Sequence, residues 1–288
     1  MSLTLPGILV DATWLRAHLD HPGLLLLDAT VELPAPRFDG DYRSASGYPG
    51  WLEQHIPGSR HADLLNDLAD TTAGFSFALP QADVLHKALA ALGVSAQRRV
   101  VIYDRADGFW AARLWWMLRS LGIQAAVLDG GFKAWTVGCA VRTEATTDTS
   151  GAHGAPYWVD RTQVQAIVEG QAEGILICAL GSALFDGSAP SRYARRGHIP
   201  GSRNLPARTL FDAQGRYLPK DALAAVFGPQ LLNSDTPLIL YCGGGISAAA
   251  NALALTLLGR QHVAIYDGSL QEWAADPVLP MTTGAAPA

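Results

Sequence analysis

Six short stretches are apolar at nearly every position: LLLLDA (24–29), VVIYD (100–104), AAVLDG (125–130), GILICA (174–179), LILYC (238–242) and VAIYDG (263–268). None alternates apolar with polar, which predicts strands buried on both faces. Between them lie apolar stretches of helical length, WAARLWWMLRSLG (110–122) and SAAANALALTLLG (247–259), each ending in the glycine that commonly stops a helix. Strands that alternate with helices predict an α/β fold, a mostly parallel sheet flanked by helices. Ligands of such sheets gather outside the carboxyl ends of the strands, here Asp28, Asp104, Asp129, Cys178, Cys242 and Asp267.

The pattern occurs twice. HIPGSR at 55–60 returns unchanged at 198–203, an offset of 143. VVIYD answers LILYC, and VLDGGFKAW answers IYDGSLQEW, both at an offset of 138, and Val10-Asp11 answers Val159-Asp160 at 149. Four matches in one order imply an internal duplication. The expected domains are 1–140 and 155–288, joined by a linker over 141–154 that is rich in Thr, Gly and Ala. A length of 288 residues fits two domains, and a composition 49% hydrophobic and 16% charged excludes a disordered chain.

Charge narrows the partners. The net charge is −5, and no Lys/Arg run exceeds a pair, so no nucleic-acid surface is expected. Only Lys87, Lys133 and Lys220 are lysines, so arginine is the default cation. Cys139, Cys178 and Cys242 form neither a disulfide framework nor a zinc spacing, which suits a reducing compartment and predicts no metal. The N-terminus has no basic leader with a long apolar core, and no apolar run approaches membrane-spanning length. The expectation is a cytoplasmic protein with no membrane contact.

The chemistry concentrates at Cys242, which ends a strand and precedes Gly243-Gly244-Gly245-Ile246-Ser247 and a helix. Glycines allow a tight loop whose N–H groups turn inward, and the helix N-terminus adds its dipole, so the loop can hold an anion, a thiolate included. The alternative is an inert buried cysteine whose glycines serve only the turn.

With these motifs in order, the chain resembles the tandem-domain rhodaneses, the thiosulfate and 3-mercaptopyruvate sulfurtransferases. The resemblance spans nearly the whole chain and implies two rhodanese-like domains. Cys242 is then the nucleophile that becomes a persulfide and passes its sulfur to a thiophilic acceptor: cyanide, a thiol or thioredoxin. No cofactor is implied. The first copy has Asp104 at the cysteine position and would be a catalytically inactive wall of the site. Gly243, Gly244, Gly245 and Ile246 become the substrate-binding cradle. Ser247 adds a catalytic hydroxyl or simply caps the helix. Cys-x5-Arg phosphatases use a similar cradle, but the sixth position here is Ala248, which argues against phosphoryl transfer.

Several positions depart from the family pattern. Thiosulfate relatives carry Arg-Lys after the cysteine and mercaptopyruvate relatives Gly-Ser-Gly; Gly-Gly-Gly lacks the cations, favouring mercaptopyruvate, and also lacks that serine. The Asp-x-Arg and second Arg expected after the first strand of the second domain are replaced, with Leu180 and Leu184 at the arginine positions. Arg192, Arg195 and Arg196 are candidate substitutes, Arg192 and Arg196 foremost. His55 is either a turn residue or a proton relay oriented by Asp41 or Glu53; His198 is expected to be a turn residue. Asp129 and Asp267 are expected to fix turns, the tryptophans to fill the core and Cys139 to be inert. Cys178 either fills space or resolves an oxidised Cys242. The function expected is a sulfurtransferase acting on a small anionic donor. The competing readings are a sulfur-carrier module without efficient turnover and a thiol redox or phosphate-type enzyme.

Overall fold

A computed structural model describes residues 3–137 and 156–285. Cys139 and the expected linker lie outside the described residues. The first half contains β1 (Leu9–Val10), β2 (Leu24–Asp28), β3 (Val31–Glu32), β4 (Ala45–Ser46), β5 (Arg60–His61), β6 (Arg99–Tyr103) and β7 (Ala125–Leu128). The second contains β8 (Trp158–Val159), β9 (Ile175–Cys178), β10 (Arg203–Asn204), β11 (Leu238–Tyr241) and β12 (Val263–Tyr266). Strands β3 and β4 form a small antiparallel hairpin. The others build two five-stranded sheets, β1-β7-β6-β2-β5 and β8-β12-β11-β9-β10, in the same spatial order and parallel throughout. The duplication read from the sequence is thus a duplication of topology.

The all-apolar strands are buried on both faces. One core cluster runs continuously through both halves between the two sheets, while the outer face of each sheet has a smaller cluster of its own. The helices Phe109–Ser120 and Ile246–Leu257 pack against one another at the centre of the shared core. A helix covered by its own sheet on one side and a second domain on the other needs no polar face. Ile246–Leu257 accordingly carries five alanines at 248, 249, 250, 252 and 254, all fully buried. Trp110, Trp115 and Trp116 fill the space opposite, and the Trp116 indole donates to the Tyr157 carbonyl of the second half at 3.2 Å. Trp110, Trp115, Trp116 and Trp273 are core residues, as expected; Trp135 is only partly buried.

The repeated HIPGSR motif has one structural job in both halves. Ile56 N–H donates to the Tyr103 hydroxyl at 3.2 Å, and Ile199 N–H to the Tyr241 hydroxyl at 3.1 Å. Ser59 and Ser202 hydroxyls hydrogen-bond the same two tyrosines at 2.9 and 2.8 Å. The motif therefore pins its turn to the end of the central strand. Among the described residues no helix is long and apolar enough to cross a membrane.

Candidate active site

The loop after β11 is built around three backbone constraints. Gly245 is left-handed, φ +74°, and directs the chain into the helix Ile246–Leu257. The Cys242 and Gly245 N–H groups both donate to the Ser269 hydroxyl, at 3.2 and 3.0 Å, and that hydroxyl donates to the Tyr266 carbonyl at 2.8 Å. Leu270 and Gln271 N–H groups donate to the Cys242 and Gly243 carbonyls at 3.1 and 2.9 Å. The segment following β12 thus laces the cysteine loop in place. Ser269 itself is left-handed, φ +48°, unusual for a residue with a Cβ. Its double acceptor role accounts for a side chain there.

The glycines are required by what surrounds them. A Cβ on Gly243 would fall inside the phenol oxygen of Tyr193, and one on Gly244 would meet the amide end of Gln271. A Cβ on Gly245 would stand 2.6 Å from Nη1 of Arg113. Arg113 belongs to the first domain, with its side chain 1% exposed. Its Nη2 donates to the Phe77 carbonyl at 2.7 Å and to the Asp267 carboxylate at 2.6 Å, and its guanidinium lies 4.5 Å from the Trp158 ring centre. This ion pair, buried at Arg113 and 17% exposed at Asp267, joins the domains directly behind the loop. Removing one partner of such a pair typically costs about 3–5 kcal/mol.

Cys242, 2% exposed, sits at the floor of a cavity of about 380 Å³ between the domains. Gly243, Gly244, Ile246 and Ser247 share the floor. Ala179, Leu180, Gly181 and Leu184 form one wall, Arg192 and Tyr193 another, and Pro206, Ala207 and Arg208 a third. The first domain closes the cavity with Leu33, Tyr42, Phe77, Asp107, Phe109 and Trp110. Arg192 Nη2 donates to the Pro34 carbonyl at 3.0 Å, whereas Arg208 is bound through both terminal nitrogens to Asp107 at 2.7 and 2.6 Å.

The first domain contains the same loop already filled. The buried Asp104 carboxylate accepts N–H bonds from Ala106 at 2.9 Å, Gly108 at 3.0 Å and Ala111 at 2.9 Å. The chain's own carboxyl group fills this loop, although burial raises its pKa above the usual carboxylate value.

The family profile for the rhodanese-like domain matches residues 11–137 and 172–276. The chain belongs to the tandem-domain rhodanese sulfurtransferase family. It is 32% identical over 279 residues to the 3-mercaptopyruvate sulfurtransferase of Escherichia coli (strain K12), covering 94% of this chain and 96% of that protein. It is 34% identical over 287 residues to a probable 3-mercaptopyruvate sulfurtransferase of Pseudomonas aeruginosa, covering 96% and 98%. The thiosulfate sulfurtransferase of Gallus gallus is 31% identical over 278 residues, covering 92% of each. Among solved structures, SseA from Escherichia coli, a 3-mercaptopyruvate sulfotransferase, superposes with a TM-score of 0.72 at 30% identity, covering 91% of this chain and 98% of that one.

Within the rhodanese frame, several sequence expectations need correction. His55 does not face the cavity: its Nδ1 meets the Trp51 carbonyl at 2.7 Å and its ring stacks on Trp51 at 4.4 Å, so it holds a turn. His198 holds its turn as expected, 2.8 Å from the Phe185 carbonyl and stacked on Phe185. Arg196 also lies outside the cavity, forking onto Asp39 of the first domain at 2.9 and 3.1 Å. Arg195 is spent on four backbone carbonyls, those of Trp273, Ala274, Asp276 and Leu279. Gly245 does not line the cavity, because its N–H is turned to Ser269. Ser247 is not the cap: Gly245 holds that position, and the Ser247 hydroxyl faces the cavity with no described hydrogen bond.

Asp129 and Asp267 do more than fix turns. Asp267 accepts Leu79 N–H at 2.7 Å, and Asp129 accepts Tyr217 N–H at 2.8 Å, each across the domain boundary. Cys178 is aligned with Tyr241, the residue before Cys242, and its side chain lies in the outer cluster with Tyr241 and Trp273, on the opposite face of the sheet from Cys242. It is not placed to resolve Cys242. Sequence reasoning missed Tyr193, Arg208 and Arg113. Only Tyr193 and Arg208 gave a signal, lying within a few residues of the repeated HIPGSR.

Proposed function

We propose that this sulfurtransferase takes sulfane sulfur from a small anionic donor onto Cys242 as a persulfide, and then yields it to a thiophilic acceptor such as cyanide, a thiol or a thioredoxin. The observation that supports the reading is the pairing of the two loops: the Asp104 carboxyl group accepts three N–H bonds in one, and Cys242 occupies the same strand end in the other, open to a cavity. The Cys242 thiolate attacks the donor sulfur, and the charge that develops is met by loop N–H groups and the helix N-terminus.

The cavity's charges favour 3-mercaptopyruvate over thiosulfate. Arg208 is already neutralised by Asp107, leaving Arg192 as the lining cation without a carboxylate partner in the described structure. One cation suits a monocarboxylate better than a dianion. Leu180 and Leu184 present an apolar wall where the clamp was expected, which predicts weak binding of either donor. That wall also motivates the alternative, a sulfur carrier loaded by another enzyme.

The test is thiocyanate production from each donor with cyanide as acceptor. The proposed enzyme turns over both, with kcat/KM higher for mercaptopyruvate; a higher value for thiosulfate refutes the donor assignment. A protein that carries an added sulfur on Cys242 by mass spectrometry, yet turns over neither donor, is the carrier.

A further inference from the structure

We propose that Tyr193 is a catalytic hydroxyl donor, hydrogen-bonding the carbonyl oxygen of a 2-oxo thiol donor as its C–S bond breaks. The inference rests on the reading of Cys242 as the sulfur acceptor and adds to it the group that receives the leaving electrons.

Tyr193 lines the same cavity as Cys242, and its phenol oxygen occupies the space a side chain at 243 would need. The hydroxyl is therefore built against the residue that follows Cys242, and a side chain at that position would exclude it. Its ring packs on the outer core cluster of the second domain. Its backbone is fixed through Tyr193 N–H to the Ser191 hydroxyl at 3.1 Å, with Ser191 N–H held in turn by Asp39 at 2.9 Å. No described hydrogen bond engages the phenol oxygen, so the donor is available to a ligand. Burial, and after it the neighbouring charge at Cys242, holds the phenol well above its ordinary pKa, which keeps the proton on oxygen.

Residues 243 to 246 read Gly, Gly, Gly, Ile and offer no hydroxyl; the other one on this side of the cavity is Ser247, in the first turn of the helix, so Ser247→Ala is the control that distinguishes the two donors. Arg192, the adjacent residue, lines the cavity as well. An arginine beside a tyrosine matches a carboxylate beside a ketone, the two neighbouring groups of a 2-oxo acid.

The step balances as follows. The Cys242 thiolate forms a bond to the donor sulfur, and the C–S electron pair moves to carbon and is delocalised onto the ketone oxygen as an enolate. Tyr193 donates a hydrogen bond to that oxygen and keeps its proton. The hydrogen carried by the donor thiol ends on the methyl carbon, giving pyruvate and the Cys242 persulfide anion. No oxidant or reductant is required. With thiosulfate the leaving group is sulfite, whose charge is spread over three oxygens, so a single donor matters less.

The test is Tyr193→Phe, which keeps the ring and removes the donor. Loss of one such donor should lower kcat with mercaptopyruvate by about 10–100-fold, with KM within about threefold and the thiosulfate rate within about threefold of wild type. Sulfur release from preformed persulfide to cyanide should be unchanged. An unchanged kcat with mercaptopyruvate, an equal loss with both donors, or a rise in KM alone overturns the proposal while leaving the Cys242 reading standing. A wild-type protein that forms thiocyanate from neither donor overturns this proposal together with the enzymatic reading, and an added sulfur on its Cys242 then identifies the carrier.

Discussion

In the first domain β6 runs into Asp104 and a loop that reaches its left-handed glycine at Gly108, four residues on; in the second, β11 runs into Cys242 and reaches Gly245 after three. Both glycines lead into twelve-residue helices, and those helices pack on one another. The longer loop closes on its own carboxylate, which takes three N–H bonds, and its residue Asp107 turns outward to line the cavity and pair with Arg208. The shorter loop is open, and its cysteine faces space. The same backbone device thus serves once as a wall closed by its own carboxyl group and once as a loop that lines the cavity. The two halves share the strand–loop–helix geometry, and only the second has a cysteine at the strand end.

The largest way to break this comparison is to remove the reactive atom. Cys242→Ser should reduce sulfur transfer below about 1% of wild type, because an oxygen cannot carry sulfane sulfur, while the near-isosteric swap leaves the fold intact. Thiocyanate formation and thermal unfolding measure the two effects; more than a few per cent residual turnover would remove Cys242 from the mechanism.

The next effect distinguishes the glycines within the open loop. Gly243→Ala drives a methyl into the Tyr193 phenol, which is held by a packed ring, so the loop itself must move. Displacing a nucleophile by about 1 Å costs on the order of 100-fold in rate, and a loss of at least about tenfold in kcat/KM is expected here. Gly244→Ala meets the amide end of Gln271, which can give at the cost of its hydrogen bond from Ser76 N–H, and touches the Phe77 ring at an ordinary 3.4 Å, so it should stay within about threefold. Equal losses at the two positions would show that the loop tolerates neither side chain for a reason other than Tyr193.

The closed loop predicts an effect on stability rather than on chemistry. Asp104→Ala strands three N–H groups in a buried site and should destabilise the protein by about 2–4 kcal/mol, read as a lower denaturation midpoint. Activity below that midpoint should stay within about threefold of wild type. Complete loss of turnover in a folded Asp104→Ala protein would give the first domain a chemical part.

Much of this was legible along the chain. Continuous apolar runs identified buried parallel strands, and the repeats identified two copies of one topology. The Cys242 loop stood out because glycines between a strand and a helix are chemically pointed. What was illegible depends on how two domains meet. Arg113 reads as one cation on an apolar helix, and only docking buries it against Asp267 and Gly245. Arg196 reads as a substrate ligand, yet Asp39, 157 residues away, takes it. His55 was drawn toward the site by resemblance, but its neighbour in space is Trp51, four residues back. A single offset of 138 between the copies also hid the extra residue in the closed loop, because the strand ends and the helices align at different offsets.

The smallest effect concerns Cys178, the counterpart of Asp28 at the end of β2, since Asp28 aligns with Tyr103 as Cys178 aligns with Tyr241. Burial pushes the Cys178 thiol up to about 12, so at pH 8 only about one molecule in ten thousand carries a thiolate there. The side chain also lies across the sheet from the cavity, out of reach of a reagent that enters beside Cys242. Iodoacetamide at pH 8 should therefore label Cys242 and leave Cys178 unmodified until the protein is denatured. One equivalent of peroxide should yield no Cys178–Cys242 disulfide in peptide maps. Cys178→Ala should change kcat/KM by less than about twofold, since it removes a small buried group that touches no part of the cavity. Labelling of Cys178 in the folded protein, or a mapped disulfide, would show that the sheet opens at this end and that the two halves differ there in mobility as well as in chemistry.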